Sequence, residues 1–346
     1  MEEGEQHPAH AVEVVAPQAA DASPLLPQGM AKKALIVAAF GIATYAAILF
    51  YADADVFAAH AARYTLPVLA LATAVSCVNF VFRFVRWHYY LRLLSISLPL
   101  VDSALIFLSG FTMSISPGKM GEVLKAVMVR DATGVPVRIT APIVVAERLT
   151  DVAALFLLGG VGLGVSQGKP VYAALAAGSV VLIGMIGGST RLATGSVVLA
   201  TTPQFLRRLR QPLLDMVASL RTMVAPWPYV VGTVLSVVGW AAHGFCLYVV
   251  AFDFDELSIS VADSMLAYSA PLLAGTLAMI PGGLGLTEAS MVGVIKAEGG
   301  PHATVAAATA IALMVRMVTF WLAIAIGGVA LVGWRARRAN ASSVSA

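Results

Sequence analysis

Apolar runs of bilayer-spanning length, broken twice by proline and glycine, leave this chain few folds to choose from. Several runs approach or exceed about 18 residues, enough to cross a hydrocarbon core roughly 30 Å thick. The breaks are Ser116-Pro117-Gly118-Lys119-Met120-Gly121-Glu122 and Ile280-Pro281-Gly282-Gly283-Leu284-Gly285. Proline lacks an N–H and clashes with the preceding turn, while glycine permits a sharp bend. In lipid, non-helical backbone is tolerated only where it packs on protein or lines a cavity. Each break therefore implies a polar cavity at membrane depth, which favours a transporter-like molecule over a receptor or plain anchor.

Charged residues make up 12% of the chain, against about 25% in soluble domains, and mean hydropathy is +0.85. The expected fold class is all-α: a polytopic integral membrane protein. The formal net charge of +3 is too small to argue for nucleic acid. Cys77 and Cys246 both fall inside expected spans and read as packing residues. With no Cys/His ligand spacing, neither a metal site nor a cofactor is expected.

Residues 1–31 are polar and proline-bearing and lack the pattern of a signal peptide; a disordered cytoplasmic tail is expected. Spans are expected at about Ala34–Tyr51 and Leu66–Phe82, the latter ended by Arg83, Arg86 and Arg92. A broken segment over Asp102–Val129 precedes spans at Thr140–Val165 and Val171–Gly188. The arginine-rich segment 190–226 has the leucine spacing of an amphipathic surface helix. A span at Tyr229–Phe252, a second broken segment over Ala262–Ile295 and a stretch at Ala303–Val332 follow. That last stretch is too long for a perpendicular crossing, so it tilts or begins with an interfacial turn. The reading amounts to about six full spans and two re-entrant broken-helix hairpins. The transmembrane domain covers 32–338, with halves 32–189 and 227–338, and 339–346 form a second disordered tail.

Setting each broken segment as a re-entrant hairpin places sixteen Lys and Arg residues on one face and only Arg63, Lys169 and Lys296 on the other. By the positive-inside rule both termini are then cytoplasmic, and Trp87, Trp227 and Trp334 fall at the cytoplasmic interface. The hairpins enter from opposite sides. Each is followed by a deep arginine, Arg148 at 31 residues after Pro117 and Arg316 at 35 after Pro281. Two such units of opposite orientation form an inverted repeat, a common transporter plan.

A central arginine costs about 2.5–3.5 kcal/mol on insertion scales, so Arg148 and Arg316 must face a partner, water or a bound anion. Asp151 can meet Arg148 on one helix face, and Glu147 is better placed to reach another helix. Arg316 has no acidic neighbour in its own span; Glu288 is a candidate partner. Glu122 and Glu288 lie in the first turns of half-helices that start near Gly121 and Leu286, as dipole caps or as gating and headgroup partners. The free N–H groups of those turns attract anions such as phosphate. Lys119, at the first hairpin tip, is a snorkelling or headgroup-contact residue, and Arg83 and Arg86 are candidate contacts to anionic headgroups. His243 reads as a packed hydrogen-bonding residue. The substrate-binding candidates are thus Arg148, Arg316, Lys119, Glu122, Glu147, Asp151, Glu288, Arg83 and Arg86. The hinges are Pro117, Gly118, Gly121, Pro281, Gly282, Gly283 and Gly285.

The Pro117 motif, Glu147-Arg148-Leu149-Thr150-Asp151, and the Pro281 motif with Glu288 resemble, in order and spacing, a flippase-like family that includes the membrane half of lysylphosphatidylglycerol synthase. Arg83 and Arg86-Trp87 before Leu91, Leu93 and Leu94 also look like its early motif, and the resemblance spans about residues 33–335. It implies movement of lipid headgroups between leaflets, with some members working beside hopanoid or glycolipid pathways. The synthase's soluble aminoacyl-transfer domain has no counterpart here, so lipid aminoacylation by this chain alone is not expected.

The leading expectation is a non-enzymatic lipid translocator of the bacterial inner membrane. It would act on membrane lipids with phosphate-bearing headgroups, in possible homo-oligomers and beside envelope lipid or glycolipid biosynthesis enzymes. No GxxxxGK[ST] loop is present, so any driving force is a gradient, the membrane potential or downhill scrambling. Two alternatives stay open: a lipid-linked transferase built on Arg148, Glu147, Asp151 and Glu288, and a non-catalytic partner docking through 190–226.

Overall fold

A computed structural model describes residues 62, 64–114, 122–254 and 256–344. The expected first span, and Pro117, Gly118, Lys119 and Gly121 at the first break, lie outside these residues. All regular structure among the described residues is helical. In chain order, the first half comprises α1 (Leu66–Leu93), α2 (Leu100–Ser109), continued by a 3-10 turn (Gly110–Met113), then α3 (Leu124–Thr133), α4 (Pro142–Ser166) and α5 (Pro170–Gly188). The middle segment holds α6 (Thr190–Ala200) and α7 (Arg210–Val224). The second half comprises α8 (Pro226–Ala251), α9 (Val261–Leu277), α10 (Leu286–Glu298), α11 (Val305–Arg316) and α12 (Leu322–Val344).

Among the described residues, five helices are long and apolar enough to cross a membrane: Leu66–Leu93, Val137–Ser166, Pro170–Gly188, Pro226–Ala251 and Val305–Asn340. The chain is a multi-pass membrane protein. Four of its helices, α1, α4, α5 and α8, begin with proline in the first turn, where the missing N–H has no intrahelical role. Ser260 and Asp263 form a reciprocal capping box at the start of α9, and α3 stops at Gly134, whose φ of 76° is a left-handed cap. On α5, Leu175, Met185 and Val181 stand exposed, as a lipid-facing helix requires.

Both expected breaks coincide with short helices. α9 and α10 pair across a turn at Pro281–Gly283, and α2 and α3 pair across the first break. At about 1.5 Å per residue the ten residues of α2 and of α3 and the thirteen of α10 each fall well short of a bilayer crossing.

The hairpins pack on opposite halves. α9 lies along α4, where a Cβ on Gly162 would sit 2.6 Å from the Ala262 carbonyl oxygen. The first hairpin lies along α12, where a Cβ on Gly327 would sit 2.7 Å from the Thr112 amide nitrogen. Each hairpin therefore rests on the span that carries, or directly follows, the other half's deep arginine. An ion pair between Arg337 and Asp102 at 3.2 Å closes the second of these contacts.

Four expectations need correction. The second span does not end at Phe82: α1 runs on to Leu93 and carries Arg83 and Arg86 inward as part of a buried face. Those two residues and Lys125, all three counted on the basic face, are buried, so they leave that count and sixteen becomes thirteen. Trp87 and Trp334 are enclosed by protein and do not form an interfacial belt, whereas Trp227 is 72% exposed. The final stretch begins at α11 and is joined to α12 by a π-helical turn at Met317–Trp321. That turn follows Arg316 directly, and α12 remains helical through Val344, so the expected tail from 339 is ordered helix to that point. The amphipathic segment is present as α6 and α7, and α7 is pinned through Asp215 to Arg138 at 3.0 Å.

Candidate functional site

Where α1, the start of α3, and α4 converge, seven charged side chains sit together in the core. α1 supplies Arg83 and Arg86, three residues apart and so on neighbouring faces of one helix. Glu122 and Lys125 follow the first break. α4 contributes Glu147 and Asp151 on one inward face, with Arg148 turned to the side.

The pairing is dense. Arg86 Nη1 donates to Asp151 Oδ1 at 2.7 Å and to Thr150 Oγ1 at 3.0 Å, and also contacts Ser236 Oγ on α8. Glu147 Oε1 lies 3.9 Å from Arg86 Nη2, and its other oxygen takes Lys125 Nζ at 2.5 Å. Lys125 also approaches Glu122 at 3.5 Å, with its ammonium 4.7 Å from the centre of the Trp87 ring. Arg148 Nη2 donates to both oxygens of Glu122, at 3.0 and 3.2 Å, and Arg148 Nη1 lies 3.3 Å from Asp151. The indole of Trp240 on α8 donates to Asp151 Oδ1 at 2.9 Å. Charges this deep are tolerable only when paired and hydrogen-bonded, and here every carboxylate has at least two cationic neighbours.

The second half builds a smaller, matching site. Arg316 Nε donates to Glu288 Oε1 at 2.6 Å, and Arg316 Nη2 donates to the Gly282 carbonyl at 2.8 Å. The Arg316 guanidinium stands 4.1 Å from the centre of the Phe320 ring on the π turn. Glu288 Oε2 accepts the Gly285 N–H at 2.7 Å, so the carboxylate caps its own helix. An open anion site was expected at this helix N-terminus; in the present conformation Glu288 fills it. The turn itself depends on glycine: φ is 62° at Gly282, 69° at Gly283 and 84° at Gly285.

The halves meet at a cleft lined by Arg148 together with Leu272, Thr276, Ile280, Gly282 and Thr287. About 20 Å³ of it is open to the centre of a water molecule, room for roughly one water and too little for a headgroup. The conformation is closed. Arg148 is the cation nearest release: its side chain is 19% exposed, against 7% or less for Arg83, Arg86, Lys125 and Arg316.

Of the expected site residues, the structure joins Arg83, Arg86, Glu122, Glu147, Arg148 and Asp151 in one cluster, and pairs Arg316 with Glu288 beside the cleft. Lys119 lies outside the described residues. Arg83 and Arg86 face the protein interior, because their helix continues and the acids that follow the first break and on α4 pair with them. Lys125, Thr150, Ser236 and Trp240 were missed. Lys125 could have been found from its place three residues after Glu122 on a half-helix; the others carry no signal short of packing. His243 is the packed hydrogen-bonding residue expected, between Ser76 Oγ at 3.1 Å and Tyr268 Oη at 2.9 Å.

No curated protein matches the chain. The family model described as lysylphosphatidylglycerol synthase TM region matches residues 36–327, a stretch that contains both hairpins, the charged cluster and the Glu288–Arg316 pair. The chain belongs to that transmembrane family.

Proposed function

We propose that the protein moves phosphate-bearing lipid headgroups between the leaflets of a bacterial inner membrane, with both termini cytoplasmic and without chemical conversion of the lipid. One observation carries the reading. Arg148, the most accessible cation of a buried charged cluster, faces a closed cleft whose far wall is the broken turn of the other half. The reciprocal packing of the hairpins supports an inverted repeat, in which rocking of one half against the other would open that cleft to each side in turn. A phosphate entering the cleft would replace Glu122 on Arg148, while Glu122 keeps Lys125 and Arg83 as neighbours. Such an exchange of ion-pair partners lets an anion enter without stranding a buried charge.

A transferase reading would need a carboxylate free to act as general base. Glu122, Glu147 and Asp151 are each held by two or three cations, and Glu288 by Arg316 and a backbone N–H. This favours binding over catalysis. The test is leaflet exchange of fluorescent phospholipids in vesicles reconstituted with the protein. Arg148→Ala is expected to insert and fold yet lose exchange. Exchange at the wild-type rate, or product formation from lipid-linked donors by the purified protein, would overturn the reading.

A further inference from the structure

We propose that the acidic N-terminal segment of this chain, residues 2–21, docks in the groove between α6 and α7 and covers the arginines of that surface. The inference goes beyond the headgroup reading and does not depend on what the cleft carries. The groove holds about 530 Å³ and is walled by Thr194 of α6 and by Leu214, Val217, Ala218, Arg221 and Thr222 of α7. Arg210, Leu214, Val217 and Arg221 follow at i, i+4, i+7 and i+11, so one stripe of α7 runs arginine, apolar, apolar, arginine. These arginines lack acids. Asp215 is the single acid of segment 190–226, and it is taken by Arg138 at 3.0 Å and by Gln211 Nε2 at 3.1 Å. Arg207, Arg208, Arg210 and Arg221 stand exposed and form no ion pair among the described residues.

A helix that lies on a membrane gives its apolar face to lipid. α7 gives much of that face to protein: Met223 and Val224 are buried in the core that holds Tyr90 and Leu91 of α1, and Leu220 packs against it. The arginine stripe and its groove are left for another occupant, and the chain carries one of matching chemistry. Residues 1–31, outside the described residues, contain Glu2, Glu3, Glu5, Glu13 and Asp21 and no Lys or Arg. Val12, Val14 and Val15 stand between the outer acids. Acids on both sides of an apolar centre are the counterpart of the α7 stripe. The expected crossing at Ala34–Tyr51 and the return through α1 bring the segment to the side where α1 ends, and α7 packs beside that end. Residues 22–33 form a tether that extends up to about 40 Å. A tethered segment meets its groove at an effective concentration of about a millimolar, so a contact too weak to hold a separate peptide holds this one.

The experiment uses the full chain in detergent, with Cys77 and Cys246 replaced by alanine. Thr222→Cys puts a thiol on the groove wall, where the threonine is exposed, and its labelling by the uncharged reagent N-ethylmaleimide is timed. Neutralising the segment with Glu2→Gln, Glu3→Gln, Glu5→Gln, Glu13→Gln and Asp21→Asn is expected to speed labelling about five- to tenfold. Salt at about 0.5 M should bring the acidic chain to the same rate and leave the neutral one unchanged, because exposed ion pairs are screened. A second thiol at Val14→Cys should cross-link to Thr222→Cys within one chain through a short bis-maleimide. The cross-link keeps all five acids in place, so it tests docking even if the neutralised variant fails to fold. Equal labelling rates for the acidic and neutral chains at low salt would overturn the proposal. Cross-links found only between chains would overturn it as well and give the groove to a second copy. Protection of Thr222→Cys that appears only on adding anionic vesicles would also overturn it, and would assign the arginines to a lipid surface.

Discussion

Glu288 and Arg316 clamp one glycine turn from its two ends. Glu288 takes the Gly285 N–H and the Arg316 Nε, and Arg316 gives its Nη2 to the Gly282 carbonyl. The ring closes through three hydrogen bonds, two of them buried, and fixes the wall of the cleft that faces Arg148. An irregular turn at membrane depth has no water to satisfy its backbone, and this pair does that work.

Removing one partner leaves the other as an unpaired buried charge. Glu288→Ala is therefore expected to destabilise the fold by about 3–5 kcal/mol, and Arg316→Met by a similar amount. The double variant Glu288→Leu with Arg316→Met should recover a large part of that loss. Yet it should still fail in leaflet exchange, because the turn has lost its clamp. Unfolding in detergent followed through a double-mutant cycle measures the coupling; additive losses would contradict the clamp.

At Gly282 two costs coincide. A side chain there must adopt φ near +62°, and its Cβ would meet Phe320 Cζ at 2.7 Å. Gly282→Ala is expected to cost about 1–2 kcal/mol from the backbone alone, with the ring clash added. Pairing it with Phe320→Leu should relieve the clash and leave the backbone cost, so thermal shift should show partial rescue. Full rescue would mean that the left-handed backbone conformation carries no weight.

The coarse fold was readable because each feature has a local cause. Span length follows from hydropathy, helix starts from proline, and the second break from Pro281-Gly282-Gly283. Glu288 could be named as the partner of Arg316 because a deep arginine requires an acid and its own span has none. The direction of Arg83 and Arg86 was not readable. Two arginines beside Trp87 near the end of an apolar run look interfacial, and only packing against Asp151 and Glu147 turns them inward. Lys125 counts among the charges of the basic face for the same reason, and only packing brings it to Glu147. Only packing brings four basic and three acidic side chains of the first half into one cluster and decides which pairs form.

Burial separates the roles of two cations that share Glu122. Lys125 is enclosed, 2.5 Å from Glu147, whereas Arg148 keeps an edge on the cleft. Lys125→Met should leave Glu147 with Arg86 alone at 3.9 Å and cost about 3–5 kcal/mol. Arg148→Ala should cost less, about 1–3 kcal/mol, since the group is part-solvated. Thermal unfolding of the two variants tests the order, and a reversal would place the structural anchor at Arg148.

If the closed cleft opens during turnover, a residue now sealed on its wall must become reachable. Thr287 is such a residue: it lines the cleft, is fully buried, and its hydroxyl has no hydrogen-bond partner among the described residues, so a thiol can replace it at little cost. With Cys77 and Cys246 replaced by alanine, Thr287→Cys is expected to react slowly with a membrane-impermeant maleimide in the resting protein. Adding Glu122→Gln should speed the reaction, because it weakens the hold on Arg148 at the cleft mouth. A rate gain of about tenfold corresponds to a shift of roughly 1.4 kcal/mol in the opening equilibrium, within reach of one weakened ion pair. Equal labelling rates in the two proteins would show that the Glu122–Arg148 pair does not hold the cleft shut, and the latch would then have to lie with Glu288 and Arg316 on the opposite wall.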